Sequence, residues 1–173
     1  MRTLILGGAR SGKSALAERL ASDGGHDVVY IATAQAGDAE MAARIAHHRE
    51  RRPRQWHCVE EPLHLADALR EHARDDRCIL VDCLTLWLSN LLSDADPSCF
   101  ERERERLLQA LPSLPGGLLM VSNEVGLGIV PMGELTRRFV DEAGRLHQSL
   151  AAISERVVFV AAGLPLLLKG TLP

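Results

Sequence analysis

Eight consecutive residues near the start of the chain, Gly7-Gly8-Ala9-Arg10-Ser11-Gly12-Lys13-Ser14, have the types and spacing of a phosphate-binding loop. Glycines let successive backbone N–H groups curl around phosphate oxygens, Lys13 can reach the β and γ phosphates, and the Ser14 hydroxyl can hold Mg2+. The flanks fit the same chemistry. Thr3-Leu4-Ile5-Leu6 reads as a buried strand and Ser14-Ala15-Leu16-Ala17-Glu18-Arg19-Leu20 as a helix, whose N-terminus adds partial positive charge beneath the loop. A glycine-rich turn that binds nothing would not require this strand, loop and helix frame.

Three further constellations could join it. Cys78-Ile79-Leu80-Val81-Asp82 is an apolar strand ending in a carboxylate, the placement at which phosphate-loop enzymes hold a metal-binding acid. Asp82 is therefore a candidate Mg2+ ligand, against the plainer role of capping the helix that starts near Leu84. Tyr30-Ile31-Ala32-Thr33-Ala34 ends a second strand at the same edge, where Thr33 could meet nucleotide or cap the next helix. In the basic segment from Glu40 to Pro53, helical geometry puts Met41, Arg44, Ile45 and His48 on one face and turns His47 away by about 100°. A neutral imidazole is a competent nucleophile toward phosphorus, and nearby arginines offset triphosphate charge. A solvated basic helix face would look the same locally.

These groups need elements that bring them to one edge. Apolar runs at Thr3–Leu6, Val28–Ala32, Cys78–Asp82, Leu118–Ser122 and Val157–Ala161 alternate with helical patterns near 13–22, 38–51, 63–74, 84–92, 99–111 and 132–153. Such alternation predicts an α/β fold of the phosphate-loop NTPase type, RecA-like, with a mostly parallel sheet covered by helices on both faces. A turn at Gly163-Leu164-Pro165 before Leu166-Leu167-Leu168 suggests a hairpin at the sheet edge. Trp87 reads as core, whereas Trp56, between Arg52 and Glu60, is open to a site role. The alternating Glu101 to Arg106 reads as a solvated helix face. At 173 residues the chain suits one catalytic domain over 1–173.

Net charge of −3 gives no electrostatic footprint for nucleic acid, which directs attention to a small-molecule substrate. No run approaches the length of a membrane span, so a cytoplasmic protein is expected. Cys58, Cys78, Cys83 and Cys99 lack metal-site spacing and are expected to be reduced and mainly structural.

Taken together, the phosphate loop, Tyr30-Ile31-Ala32-Thr33-Ala34, Glu40-Met41 leading into Arg44-Ile45-x-x-His48 and Arg52-Pro53, Trp56, Glu60, and Asn123-Glu124-Val125-Gly126-Leu127-Gly128-Ile129-Val130-Pro131 resemble a specific family. It is that of the bifunctional adenosylcobinamide kinase/adenosylcobinamide-phosphate guanylyltransferases of cobalamin biosynthesis, and the resemblance spans nearly the whole chain. It implies two reactions at one site. The first moves a γ-phosphoryl group from ATP or GTP to the aminopropanol hydroxyl of adenosylcobinamide. In the second, a histidine attacks the α-phosphorus of GTP, releases pyrophosphate and passes GMP to the cobinamide phosphate, giving adenosylcobinamide-GDP.

The family register implies His48 as nucleophile, with Lys13 serving both reactions. It places Ala32, Thr33, Ala34, Arg49, Glu50, Arg51 and Arg52 around the guanylyl group, and Glu60 and Asp82 near nucleotide or metal, while the loop motif and the strand-end acid make Ser14 and Asp82 the candidate Mg2+ ligands. Glu124 could accept or orient the proton of the substrate hydroxyl. A homo-oligomer, specifically a trimer, is also implied. The residues by themselves also admit a simple phosphate-loop kinase, or a nucleotide-dependent switch, although the Asn-Lys-x-Asp guanine reader of regulatory GTPases is missing from Ser122-Asn123-Glu124-Val125.

Overall fold

The computed structural model describes residues 1–35, 53 and 55–171. Its centre is a seven-stranded sheet in the order β3-β2-β4-β5-β1-β6-β7. The strands are β1 (Arg2–Gly7), β2 (Asp27–Ala32), β3 (His57–Glu60), β4 (Arg77–Asp82), β5 (Gly117–Asn123), β6 (Arg156–Ala161) and β7 (Leu164–Lys169). All neighbours pair in parallel except β6 with β7, which run antiparallel. The α/β expectation, with a parallel sheet and an edge hairpin, is what forms.

Five α-helices accompany the sheet among the described residues: α1 (Lys13–Asp23), α2 (Leu65–His72), α3 (Leu84–Leu92), α4 (Cys99–Ala110) and α5 (Glu134–Ile153). Adjacent residues of each inner strand feed opposite cores, because side chains alternate across a strand. Leu4, Ile79 and Met120 join side chains of α2 to α5, while Ile5, Leu80 and Val121 join Leu16, Ala17 and Ala21 of α1. Burial on both sides explains why these strands read as continuous apolar runs. Trp87 lies at the centre of the larger core, 0% exposed, and its Nε1–H donates to the Leu63 carbonyl at 2.8 Å.

Several local readings need correction. His57–Glu60 is a strand that sequence patterning does not reveal: it is short and largely polar, and it borders the sheet by pairing with β2. The hairpin turn falls at Ala162-Gly163, both with positive φ (51° and 78°), so Leu164 and Pro165 already belong to β7. Two positive-φ residues give the primed turn whose twist matches flanking antiparallel strands. The charged stretch of α4 is not uniformly solvated, since Glu103 is 1% exposed and lies within reach of Arg102, Arg106 and His64. Among the described residues, no helix is long and apolar enough to cross a membrane. The helix expected over 38–51 lies outside the described residues.

Removing the indole at the core centre should be severe. Trp87→Ala is expected to cost about 3–5 kcal/mol, readable as a lowered urea midpoint with little change in m-value.

Candidate active site

The parallel register assembles a row at the carboxyl edge of the sheet. Glu60, Ala32 and Asp82 are register partners across β3, β2 and β4, and Asn123, Gly7 and Val160 across β5, β1 and β6. The phosphate loop leaves β1 at this edge and enters α1 at Gly12, which has φ 97° and so favours glycine. Its turn is closed by Ser11 N–H donating to the Gly8 carbonyl at 3.3 Å.

The loop is packed from behind. A Cβ at Gly7 would strike the Val160 carbonyl and the Ser11 hydroxyl. A Cβ at Gly12 would stand 3.1 Å from Gly163 Cα, and Gly163 N–H donates to the Ser11 carbonyl at 2.8 Å. The tip of the β6–β7 hairpin therefore braces the loop, a role that the sequence pattern of the hairpin does not disclose.

Lys13 is 8% exposed, with Nζ donating to the Gly8 carbonyl at 3.1 Å. Burial lowers its pKa below the usual lysine value, while the nearby Asp82 carboxylate acts in the opposite direction. An ammonium so enclosed gains most from an added anion, and a triphosphate supplies one. Arg10 adopts φ 55° and is exposed at the loop tip beside Ala9, while Ser14 opens the first turn of α1.

Asp82 ends β4 and does not cap α3, whose N-cap is Cys83, without a side-chain capping bond. Instead its Oδ2 accepts from the Tyr30 hydroxyl at 2.9 Å. Tyr30 in turn stacks on Trp56, ring centroids 6.3 Å apart. Trp56 is thereby buried in the smaller core and supports Asp82 through Tyr30. Thr33 is fully buried; its hydroxyl donates to the Cys83 carbonyl at 2.7 Å and accepts from Cys83 N–H at 3.1 Å. Asn90 donates to the Thr33 carbonyl at 2.8 Å, so Thr33 ties β2 to the β4–α3 junction. Cys83, enclosed here, has its thiol pushed up to about 11, chiefly by burial, and stays a neutral thiol.

Across β5 lies a second polar group. Glu124 N–H donates to the Gly7 carbonyl at 3.0 Å, fastening the residue after β5 to the start of the phosphate loop. The Glu124 carboxylate accepts from Gly126 N–H at 2.6 Å and faces His147 Nδ1 at 3.5 Å. His147, Ser122 and Thr85 are absent from the sequence-based candidates. The only local signal for His147 is a histidine among the buried positions Ala143, Leu146 and Leu150 of α5, which more often marks a core residue. Of the sequence-based candidates, the phosphate loop, Ala32, Thr33, Ala34, Glu60 and Asp82 fall within or next to this edge row. His47, His48, Arg49, Glu50, Arg51 and Arg52 lie outside the described residues.

Mg2+ fits the donor set available. Asp82 at the end of β4 and the Ser14 hydroxyl in the first turn of α1 are hard oxygen donors of the kind Mg2+ takes.

A phosphate loop between β1 and α1, an acid at the end of β4 and a mostly parallel sheet define a phosphate-loop NTPase fold. Two solved structures share that architecture: the RadB recombinase (TM-score 0.53, 16% identity, 91% of this chain and 73% of that one) and PH0250 from Pyrococcus horikoshii OT3 (TM-score 0.55, 7% identity, 99% and 87%). Residues 3–168 match the family model for cobinamide kinase / cobinamide phosphate guanyltransferase. The bifunctional adenosylcobalamin biosynthesis protein CobP of Pseudomonas aeruginosa is 64% identical over 170 residues, covering 98% of each chain. CobU of Escherichia coli, described in the same terms, is 41% identical over 182 residues, covering 98% of this chain and all of its own. The chain belongs to the cobinamide kinase / cobinamide phosphate guanyltransferase family and is an enzyme with that pair of activities.

The close packing behind the loop gives a direct test. Gly7→Ala should weaken nucleotide binding at least about tenfold, or ~1.4 kcal/mol, by calorimetric titration, because the new methyl must displace either the loop or β6.

Proposed function

We propose that one triphosphate site serves both activities in sequence. In the first, the aminopropanol hydroxyl of adenosylcobinamide attacks the γ-phosphorus of ATP or GTP; the new P–O bond forms as the bond to the β-phosphate oxygen breaks. In the second, His48 attacks the α-phosphorus of GTP, pyrophosphate leaves, and GMP is held as a phosphoramidate. The cobinamide phosphate then displaces the histidine to give adenosylcobinamide-GDP.

The buried Lys13 ammonium against the phosphate loop is the observation that carries a shared triphosphate site. Phosphoryl and nucleotidyl transfer both depend on positioning and on neutralising phosphate charge. Mg2+, when bound by Ser14 and Asp82, would supply further neutralisation of the phosphates. Tyr30 holds one Asp82 oxygen in place and leaves the other for that role. Histidine suits the covalent step because its neutral form is populated near physiological pH. The assignment of His48, with Arg49, Glu50, Arg51 and Arg52 around the guanylyl group, rests on the Arg44-Ile45-x-x-His48 register.

A homo-oligomer, with the trimer implied by the family, is part of this reading. It is supported by apolar side chains left in solvent: Leu127 (81% exposed), Ile129 (97%), Val130 (74%) and Met132 (94%) after β5, and Leu164, Leu166 and Leu168 along β7. Apolar groups clustered in this way are suited to burial between subunits.

The deciding experiment incubates the protein with Mg2+ and GTP labelled at either the α or the γ position, then denatures it and measures intact mass. Covalent GMP carrying the α label is expected, lost in His48→Ala and kept in His47→Ala. GTP binding without an adduct would reduce the reading to a kinase site. Lys13→Ala should abolish both half-reactions; kinase turnover unchanged in that variant would refute the shared site.

A further inference from the structure

Behind the phosphate loop, a chain of buried polar groups runs from the backbone of Asn123 to the carboxylate of Glu124. Asn123 N–H donates to Thr85 Oγ1 at 2.6 Å, Thr85 Oγ1 lies 3.2 Å from Ser122 Oγ, and Ser122 Oγ lies 2.8 Å from His147 Nε2. The far ring nitrogen, His147 Nδ1, faces Glu124 at 3.5 Å. Both ends of this chain have fixed polarity. The amide at Asn123 can only donate, and an ionised carboxylate can only accept. The Asn123 amide is satisfied in either order, since the Thr85 oxygen has two lone pairs, so the carboxylate sets the direction: Thr85 donates to Ser122 and Ser122 donates to His147 Nε2, which leaves the proton of a neutral imidazole on Nδ1, directed at Glu124. The reverse order would set a bare nitrogen lone pair against the carboxylate.

His147 is 7% exposed, and its Nδ1 has no full hydrogen bond: the 3.5 Å separation from Glu124 is long. Burial lowers the imidazole pKa, with Glu124 acting in the opposite direction, in keeping with a neutral ring. Meanwhile Glu124 is tied by its own N–H to Gly7, the first residue of the phosphate loop, and by its carboxylate to Gly126. A Cβ on Gly126 would come within 3.0 Å of Glu124 Oε1, so the carboxylate has a defined seat. A histidine oriented on one side and aimed at a carboxylate on the other is the arrangement by which enzymes hold an acid or base in register.

We propose that Glu124 is the proton acceptor for the substrate hydroxyl in the kinase reaction and that His147 is its positioning residue, held by Ser122 and Thr85. The proposal rests on the kinase half of the activity alone. As the hydroxyl oxygen forms its bond to the γ-phosphorus and the bond to the β-phosphate oxygen breaks, the hydroxyl proton passes to the Glu124 carboxylate and then to solvent. His147 keeps its Nδ1 proton throughout and orients the carboxylate by attraction to it across the 3.5 Å gap. Covalent attachment of GMP uses no hydroxyl nucleophile and does not call on this pair.

The test compares Glu124→Gln, His147→Gln and Ser122→Ala with the unaltered enzyme, measuring kinase kcat and KM together with the rate of GMP attachment in the same preparations. Kinase kcat is expected to fall about 100-fold in Glu124→Gln, about 10-fold in His147→Gln and about 3-fold in Ser122→Ala, while nucleotide KM stays within about twofold. The ratio of kinase rate to GMP attachment should fall in the same order. A proportional loss of both rates, or a loss confined to KM, would overturn the proposal in favour of a structural role for α5. If His147→Gln fails to fold, Ser122→Ala and Glu124→Gln decide the matter on the same ratio. Imidazole 15N spectra provide a readout independent of turnover. His147, identified by its absence from His147→Gln or its shift in Ser122→Ala, should show a protonated Nδ1 and a bare Nε2; the opposite tautomer would overturn the proposal. No GMP attachment in the unaltered protein would refute the guanylyl-histidine reading, leaving the kinase kcat and the tautomer to judge the dyad.

Discussion

Backbone N–H groups can cradle a phosphate only where no side chain occupies the space and the loop cannot relax to satisfy itself. Most of the architecture follows from that constraint. Gly7 and Gly12 let the loop pack closely from behind, because a Cβ at either would meet backbone from β6 or the hairpin tip. Ala162-Gly163 then fastens the loop through Gly163 N–H, and Glu124 N–H fastens its other end at Gly7. The loop is thus held by two strand ends, β5 and β6, that flank β1 in the sheet. Its only enclosed cation, among the side chains described around it, is Lys13, whose burial lowers its pKa and concentrates its attraction on an incoming anion.

The same register that frames the loop also sorts the polar residues into two wings. On the β2–β4 side, Trp56 supports Tyr30, Tyr30 supports Asp82, and Thr33 joins β2 to the start of α3. On the β5 side, Thr85, Ser122 and His147 stand behind Glu124. Each wing places a carboxylate at the carboxyl edge with buried partners that restrict its motion. Restriction of this kind favours transfer chemistry, in which reacting groups gain most from being placed before the reaction begins.

Much of this was legible because it depends on local chemistry. The phosphate loop is spelled out by its glycines, Lys13 and Ser14, and inner strands such as Ile79-Leu80-Val81 declare themselves by burial on both faces. What escaped depends on partners distant in sequence. His57–Glu60 is a strand only because β2 offers it an edge, and Glu103 is buried only because α4 turns it toward Arg106 and His64. The turn falls at Ala162-Gly163, with Leu164 and Pro165 already in β7, because Pro165, which suggests a break, lies at the sheet edge, where a proline costs no ladder hydrogen bond. His147 was invisible for a related reason. Its face of α5 is apolar, and its partners Ser122 and Glu124 come from a different element.

One triphosphate site can support attack at two different phosphorus atoms only if the two nucleophiles arrive by different routes. In the proposed reading, the hydroxyl meets the γ-phosphorus beside β5, where Glu124 borders the first glycine of the loop. The histidine belongs, in sequence, to the segment between β2 and β3, outside the described residues. The phosphate loop and Lys13 then need no rearrangement between reactions, because charge neutralisation is common to both and only the nucleophile changes. A neutral His147 held by Ser122 on one nitrogen and directed at Glu124 with the other has no lone pair to offer phosphorus, so the buried histidine cannot compete with the one proposed to carry GMP.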